Sequence, residues 1–313
     1  MKIYKKIIFC FFLLSVSSWA ITPSLMIDGT SAKSMGLNNA VTALDSDSLT
    51  VLEENVGILG NKRDKDFSFG YVKWIADSYL VNTAAIYPIA KIGKIGVLAH
   101  YFGMTPFAIQ DFDIEMNKVL AEKDFNFMVS YGNNIQIPIA GEQYQFNYGV
   151  GLKFLNNTVY NISKSSGAFD AGFYVPKFFR YKNMTFNLGG VIQNFGLGMK
   201  FDSQSSGLPI NVKLGVSGNY TINDDNILNF DVDCNYPTDS TFILTTGIEF
   251  IKNKIYVFRM GIQPIGKKNN ILKLGFGLNV PISNKVKGQM SYALVPIGDL
   301  GTAHSLTLAV TFF

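Results

Sequence analysis

Apolar and polar residues alternate almost without a break from Pro209 to Phe313. Val286, Gly288, Met290, Tyr292 and Leu294 fall on one side of such a segment, with Lys285, Lys287, Gln289, Ser291 and Ala293 on the other. The segment before it repeats the pattern, with Leu272, Leu274, Phe276, Leu278 and Val280 interleaved with Lys273, Gly275, Gly277 and Asn279. Side chains of a strand point to opposite faces with a period of two, so each segment has one apolar and one polar face. Many such segments of about ten residues, joined by turn residues, predict a membrane-spanning antiparallel β-barrel. A soluble sandwich would share the alternation, but with polar outer faces and smaller, less uniformly apolar inner ones.

From Phe67 onward about fourteen strands are expected, near 67–75, 79–87, 95–103, 124–132, 145–155, 167–175, 184–193, 210–220, 226–234, 241–250, 255–263, 271–280, 285–294 and 304–313. An even number suits a single-chain bacterial barrel. With a periplasmic N-terminus, the long outer loops fall near 104–123, 156–166, 194–209 and 295–303, and most inner turns are short, such as Asn223-Asp224-Asp225. The inner turn near 133–144 is an expected exception. Alternation places Phe146, Tyr148, Val150, Leu152 and Phe154 outward, with Leu214, Val216, Leu228, Phe230, Cys234, Phe258 and Met260. Inward fall Lys153, Lys213, Asp231, Asp233, Glu249, Arg259, Lys273 and Lys287, since a cation on the lipid face near the midplane costs about 2–4 kcal/mol. The last strand sets Leu306, Leu308, Val310 and Phe312 on one face, which leaves Phe313 on the other.

The segment from Ile21 to Asp66 differs from everything after it. It is rich in Ser, Asn, Asp and Ala, with helical spacing across Ala40, Val41, Ala43 and Leu44 and again around Leu49, Leu52 and Val56. Asp45-Ser46-Asp47 would cap the second short helix. A segment of this size with little apolar content cannot build its own core, which favours a plug, or hatch, inside the lumen.

The chain begins with Lys2, Lys5 and Lys6, an apolar stretch from Ile7 to Val16, and Ser18-Trp19-Ala20. This is the pattern of a cleaved secretory signal peptide, 1–20, leaving a hatch over 21–66 and a barrel over 67–313. Cys10 lies within the apolar stretch, so it is not a lipoprotein cysteine. Beyond residue 20 no apolar run is long enough for a transmembrane helix. Without such runs a membrane protein must be a closed barrel, because lipid satisfies no open backbone group. These features predict the outer membrane, with both mature termini periplasmic and outer-membrane lipid around the wall. Removing the three lysines takes the formal charge of +4 to about +1. No basic patch argues for nucleic acid. Cys234 alone remains, so no internal disulfide can form.

Little chemistry is encoded. His100 and His304 sit in no metal-ligand spacing and beside no nucleophile motif, which predicts neither metal, cofactor nor enzymatic activity. The Gly149/Gly151 and Gly275/Gly277 pairs lie within strands, with no helix following to bind phosphate. Inward glycines instead make room for a plug or for strand curvature.

Several segments resemble the outer-membrane barrels of the long-chain fatty-acid transporter (FadL) superfamily, with the PorV/PorQ-like branch nearest. They run from Ser34-Met35-Gly36-Leu37-Asn38-Asn39-Ala40 through Phe186-Asn187-Leu188-Gly189-Gly190, Gly247-Ile248-Glu249-Phe250, Arg259-Met260-Gly261 and Gly275-Phe276-Gly277-Leu278. The closing stretch, Tyr292-Ala293 and then Pro296-Ile297-Gly298-Asp299-Leu300-Gly301, is the most family-like. Where the family hatch usually carries Asn-Pro-Ala-Gly-Leu, this chain reads Asn55-Val56-Gly57-Ile58-Leu59, without the proline and with the glycine moved.

The resemblance implies a fourteen-stranded barrel with an N-terminal hatch. Met35, Gly36, Leu37, Asn39, Ala40, Leu52, Asn55, Gly57 and Leu59 are then its hatch residues. It also implies uptake of a hydrophobic, fatty-acid-like ligand or, in the PorV branch, an adaptor role toward secreted or envelope proteins. The lumen charges have two interpretations. Asp231, Asp233 and Glu249 can pair with Lys213, Arg259 and Lys273 and hold wall and plug together. Alternatively the cations meet a ligand's carboxylate while Met35, Leu37 and Leu52 line its tail. The outer loop with Phe107, Ile109, Phe112, Ile114 and Leu120 is unusually apolar, as a capture surface for a greasy ligand would be.

Overall fold

The structure, a computed structural model, describes residues 29–104, 107–108, 118–119, 122–139, 141–159, 162–196, 198–201, 204–238, 240–265 and 272–313. The expected signal peptide lies outside them. The strands are β1 (Lys65–Lys73), β2 (Ser78–Ile89), β3 (Gly93–Met104), β4 (Phe107–Ala108), β5 (Lys118–Val119), β6 (Glu122–Ile139), β7 (Glu142–Val159), β8 (Ile162–Tyr181) and β9 (Met184–Gly196). They continue with β10 (Met199–Phe201), β11 (Gln204–Ser206), β12 (Asn211–Asn223), β13 (Asn226–Pro237), β14 (Ile243–Lys252), β15 (Tyr256–Ile265), β16 (Lys273–Ser283), β17 (Val286–Pro296) and β18 (Thr302–Phe312). Two small ribbons, β4 with β5 and β10 with β11, belong to connections. The other fourteen strands form one closed antiparallel barrel. First and last strands seal it, from Lys65 opposite Phe312 to Lys73 opposite His304.

The wall inverts the usual arrangement of a soluble protein. On β1 the exposed positions are Phe67, Phe69 and Tyr71 with Lys65 and Lys73 at the two ends, and the buried ones include Asp66, Ser68 and Val72. Leu152 is 72% exposed, whereas Lys213 is only 3% exposed. Moving one large apolar side chain out of water is worth about 1.5–3 kcal/mol, so such a face is stable only against lipid. Polar outer faces, which a soluble sandwich requires, are not what this wall presents.

The strand order and faces follow the alternation, but three local features differ from expectation. The segment 133–144 is not a long inner turn: β6 and β7 stay paired down to Ile139 opposite Glu142. Likewise 156–166 is mostly strand, with β7 and β8 paired up to Val159 opposite Ile162. Beyond Gly132 the ladder to β3 has ended, so Pro138 of β6 faces a free edge and interrupts no ladder on that side. The first hatch helix, α1, spans Ala32–Gly36 rather than 40–44. Asn38 and Asn39 follow it with φ of 53° and 63°, a left-handed pair that stops the helix and turns the chain.

The extra terminal residue has a place. Phe312 ends the lipid-facing series, while the Phe313 N–H donates to the Lys285 carbonyl at 3.0 Å and its residue borders the lumen's mouth. We call this end, where β1 begins and β18 stops, the terminal rim.

Candidate functional site

Residues 29–64 thread the barrel, and local sequence explains their turns. Ser31 caps α1, its side chain accepting from the Ser34 N–H. Asp47 caps α2 (Ser48–Glu54), accepting from the Thr50 N–H at 3.0 Å, as its position before an apolar run predicts. Asn55 then turns the chain into a 3-10 segment, Val56–Asn61. Its Oδ1 accepts from Gly57 N–H at 2.9 Å, while Nδ2 donates to the carbonyls of Thr42 at 2.7 Å and Phe173 at 3.0 Å. One side chain thus ties two hatch segments to β8.

Inward glycines of the wall let hatch backbone approach. A Cβ at Gly149 would overlap the Val56 carbonyl, and one on hatch Gly57 would collide with the backbone of Gly172 and Phe173. Gly36 lies against Gly275, whose own Cβ would come within 3.2 Å of the Gly36 Cα. Leu37 fills the space left by Gly247 and Gly261, Leu52 that by Gly96, and Leu59 that by Gly132. Met35, Leu37, Ala40, Leu52 and Leu59 are consequently buried against the wall or within the hatch, together with Asn39. Here a ligand's tail would have to displace packed side chains.

The lumen charges are largely engaged. Lys213 Nζ sits 2.8 Å from Glu54 Oε2, and Ser34 donates to the other oxygen of the same carboxylate. Arg259 Nε donates to Glu249 at 2.6 Å, Asn229 Nδ2 donates to it at 2.9 Å, and hatch Lys33 approaches at 3.6 Å. Asp233 accepts from the Val41 and Thr42 N–H groups at 2.9 and 2.8 Å. Lys153 pairs with Asp170 at 2.7 Å. Lys273 also has a partner, and Lys287 borders the chamber at the terminal rim. Of the pairings expected from sequence, Glu249 with Arg259 is present across β14 and β15. Lys213 pairs instead with the hatch, Asp233 with hatch backbone, and both Asp231 carboxylate oxygens are buried without a hydrogen-bond partner.

Glu53 and Glu54 escaped the sequence analysis, and they anchor the hatch. Glu53 Oε2 accepts from the Thr30 and Ser31 N–H groups, and His100 Nε2 lies 3.6 Å from Oε1. Burial, and then the adjacent Glu54 carboxylate, push the Glu53 carboxyl well above the usual carboxylate range. The available signal was two adjacent acids in an apolar run with no neighbouring cation in sequence. His304 faces outward and its Nδ1 meets the Tyr292 hydroxyl at 2.6 Å.

The hatch divides unlike environments. Toward the terminal rim lies a polar chamber of about 330 Å³, bordered by Lys33, Asp45, Lys62, Asp66 and Lys287. On the opposite side Met35 packs with Val72, Leu80, Phe102 and Val295 in an apolar cluster. Of the expected capture loop, Phe107 joins β4, which pairs with β5; Ile109, Phe112, Ile114 and Leu120 lie outside the described residues.

No family model and no curated protein matches the chain. Solved structures do share its fold. The toluene transporter TodX of Pseudomonas putida is 9% identical, with a TM-score of 0.59 over 95% of this chain and 99% of that one. A TodX deletion mutant, described as a monoaromatic hydrocarbon channel, is 10% identical with a TM-score of 0.58 over 91% and 99%. The toluene transporter TbuX of Ralstonia pickettii is 10% identical with a TM-score of 0.51 over 91% and 98%.

Proposed function

We propose that this chain is an outer-membrane barrel of the FadL superfamily that admits hydrophobic small molecules through a hatch-closed lumen. The observation that carries the proposal is the hatch itself, stitched to the wall between an apolar cluster and a polar chamber. A permanently open porin has no use for such a segment. The similar structures, toluene transporters and a monoaromatic hydrocarbon channel, support the same solute class.

Charge refines the solute. Lys213 and Arg259 are committed to Glu54 and Glu249, so a fatty-acid carboxylate would have to break a buried pair to reach either cation. A neutral apolar solute faces no such cost and is favoured. The test is uptake into proteoliposomes of a labelled monoaromatic hydrocarbon beside a labelled long-chain fatty acid. Faster entry of the hydrocarbon than through protein-free vesicles is expected. Equal entry of both solutes with and without the barrel would refute transport, and fatty acid entering alone would refute the neutral solute.

A further inference from the structure

Two hairpins part at the terminal rim. The last β7–β8 pair is Asn147 opposite Tyr174. Below it β7 continues through Glu142–Phe146 paired to β6 alone, and β8 continues to Tyr181 paired to β9 alone. The gap between them is a cleft of about 1270 Å³, floored by the end of the hatch at Asn61 to Asp64. Its lining is mostly polar and charged.

The two edges facing this cleft are not equivalent. On β8 the ladder to β9 is irregular between Val175 and Phe179, with Pro176 and a left-handed Lys177 at φ 54°. Proline, lysine and a bulge are the usual devices that stop strand addition. The β7 edge has none of them: Glu-Gln-Tyr-Gln-Phe is regular strand, in unbroken register with β6. An open, unblunted edge beside a large polar cleft offers backbone hydrogen bonds to an extended chain. Charge names the chemistry of that chain. On the floor Lys62 pairs with Asp45 at 2.6 Å and Asp64 adjoins Arg63, and Glu142 opens the β7 edge. From Ala171 to Met184, by contrast, the facing strand and turn carry Lys177, Arg180 and Lys182 and no acid, so the excess positive charge lies on the β8 side.

We propose that the β7 edge, Glu142–Phe146, is a docking site for an extended acidic segment of a partner protein, which adds as a strand and places its carboxylates toward Lys177 and Arg180. This does not depend on the transport proposal. The test is selection of a displayed library of random peptides of about ten residues against the barrel in nanodiscs, followed by hydrogen exchange. Acidic peptides are expected, slowing exchange of the Gln143 and Gln145 amides, which point away from β6, about tenfold and losing binding to the Lys177→Glu/Arg180→Glu barrel. Because these side chains lie at the rim, that variant should retain the wild-type thermal transition. Peptides that bind without protecting these amides would reduce the cleft to an electrostatic surface and overturn the proposal. Selection of no peptide that distinguishes the two barrels would also overturn it. So would protection of the amides by phosphatidylglycerol nanodiscs alone, which would make the cleft a headgroup site.

Discussion

Against β12 to β15 the hatch packs Leu37 over Gly247 and Gly261 but is held chiefly through charge and hydrogen bonds: Glu54 on Lys213, Lys33 near Glu249 and Arg259, Val41 and Thr42 on Asp233. Against β1 to β8 it meets the wall mainly through shape, with hydrogen bonds such as Asn55 to the Phe173 carbonyl added to it. There Leu49, Leu52 and Leu59 face Gly70, Gly96 and Gly132, and hatch backbone lies over Gly149 and Gly172. The two sides fail differently. A buried ion pair is little better than apolar packing, yet removal of one partner strands the other charge at high cost. A glycine contact carries little energy of its own, but any added atom must find space, and a side chain can yield where backbone cannot. The hatch is therefore held firmly while its charges stay paired, and it is vulnerable on the polar side to a single lost partner.

The largest effect is expected from Lys213→Met, which leaves Glu54 buried and unpaired at a cost of about 3–5 kcal/mol. Hydrogen exchange of the α2 amides should accelerate accordingly. Adding Glu54→Gln should recover most of the loss, because both charges are then gone. Next comes Gly149→Ala, whose new methyl meets the Val56 carbonyl and should weaken docking by about 1–3 kcal/mol, read in the same amides. Gly96→Ala sharpens the contrast within the shape-matched side. Its methyl meets only the Leu52 side chain, which can rotate, so the cost should fall near or below about 1 kcal/mol. A Gly96 effect as large as that of Gly149 would show that the wall, rather than hatch backbone, sets the fit.

The smallest effect concerns pH. Glu53 titrates above the usual carboxylate range in the folded protein, so the folded state holds a proton that the unfolded chain has released. Hatch stability should then fall as pH rises from about 4.5 through the folded value. In Glu53→Gln that slope should be shallower. An unchanged slope in α2 exchange across this range would assign the pH dependence to another group.

The wall was legible because its cause is local. Each strand reveals its faces through a two-residue period, and lipid leaves no freedom to place Lys213 or Asp233 outward. The glycines that make room for the hatch were legible in kind but not in pairing. That Gly149 receives Val56 depends on barrel curvature and on where the hatch turns, which no local pattern records. The role of Glu54 was hidden for the same reason, since its cation lies 159 residues away in sequence. The tall shared end of β6 and β7 was not legible, since Asn133, Asn134 and Pro138 ordinarily mark breaks within a sheet, whereas here they lie where the ladder to β3 has ended. The start of α1 was missed because Ser31 is a modest cap and the helix is only 5 residues long.

A hatch stitched to the wall should close the lumen to ions. The decisive experiment is single-channel conductance in planar bilayers, wild type beside Lys213→Met. Wild type should stay near the closed baseline, and the variant should show stepwise ion current as its hatch loosens. Wild-type current as large as that of the variant would contradict the account.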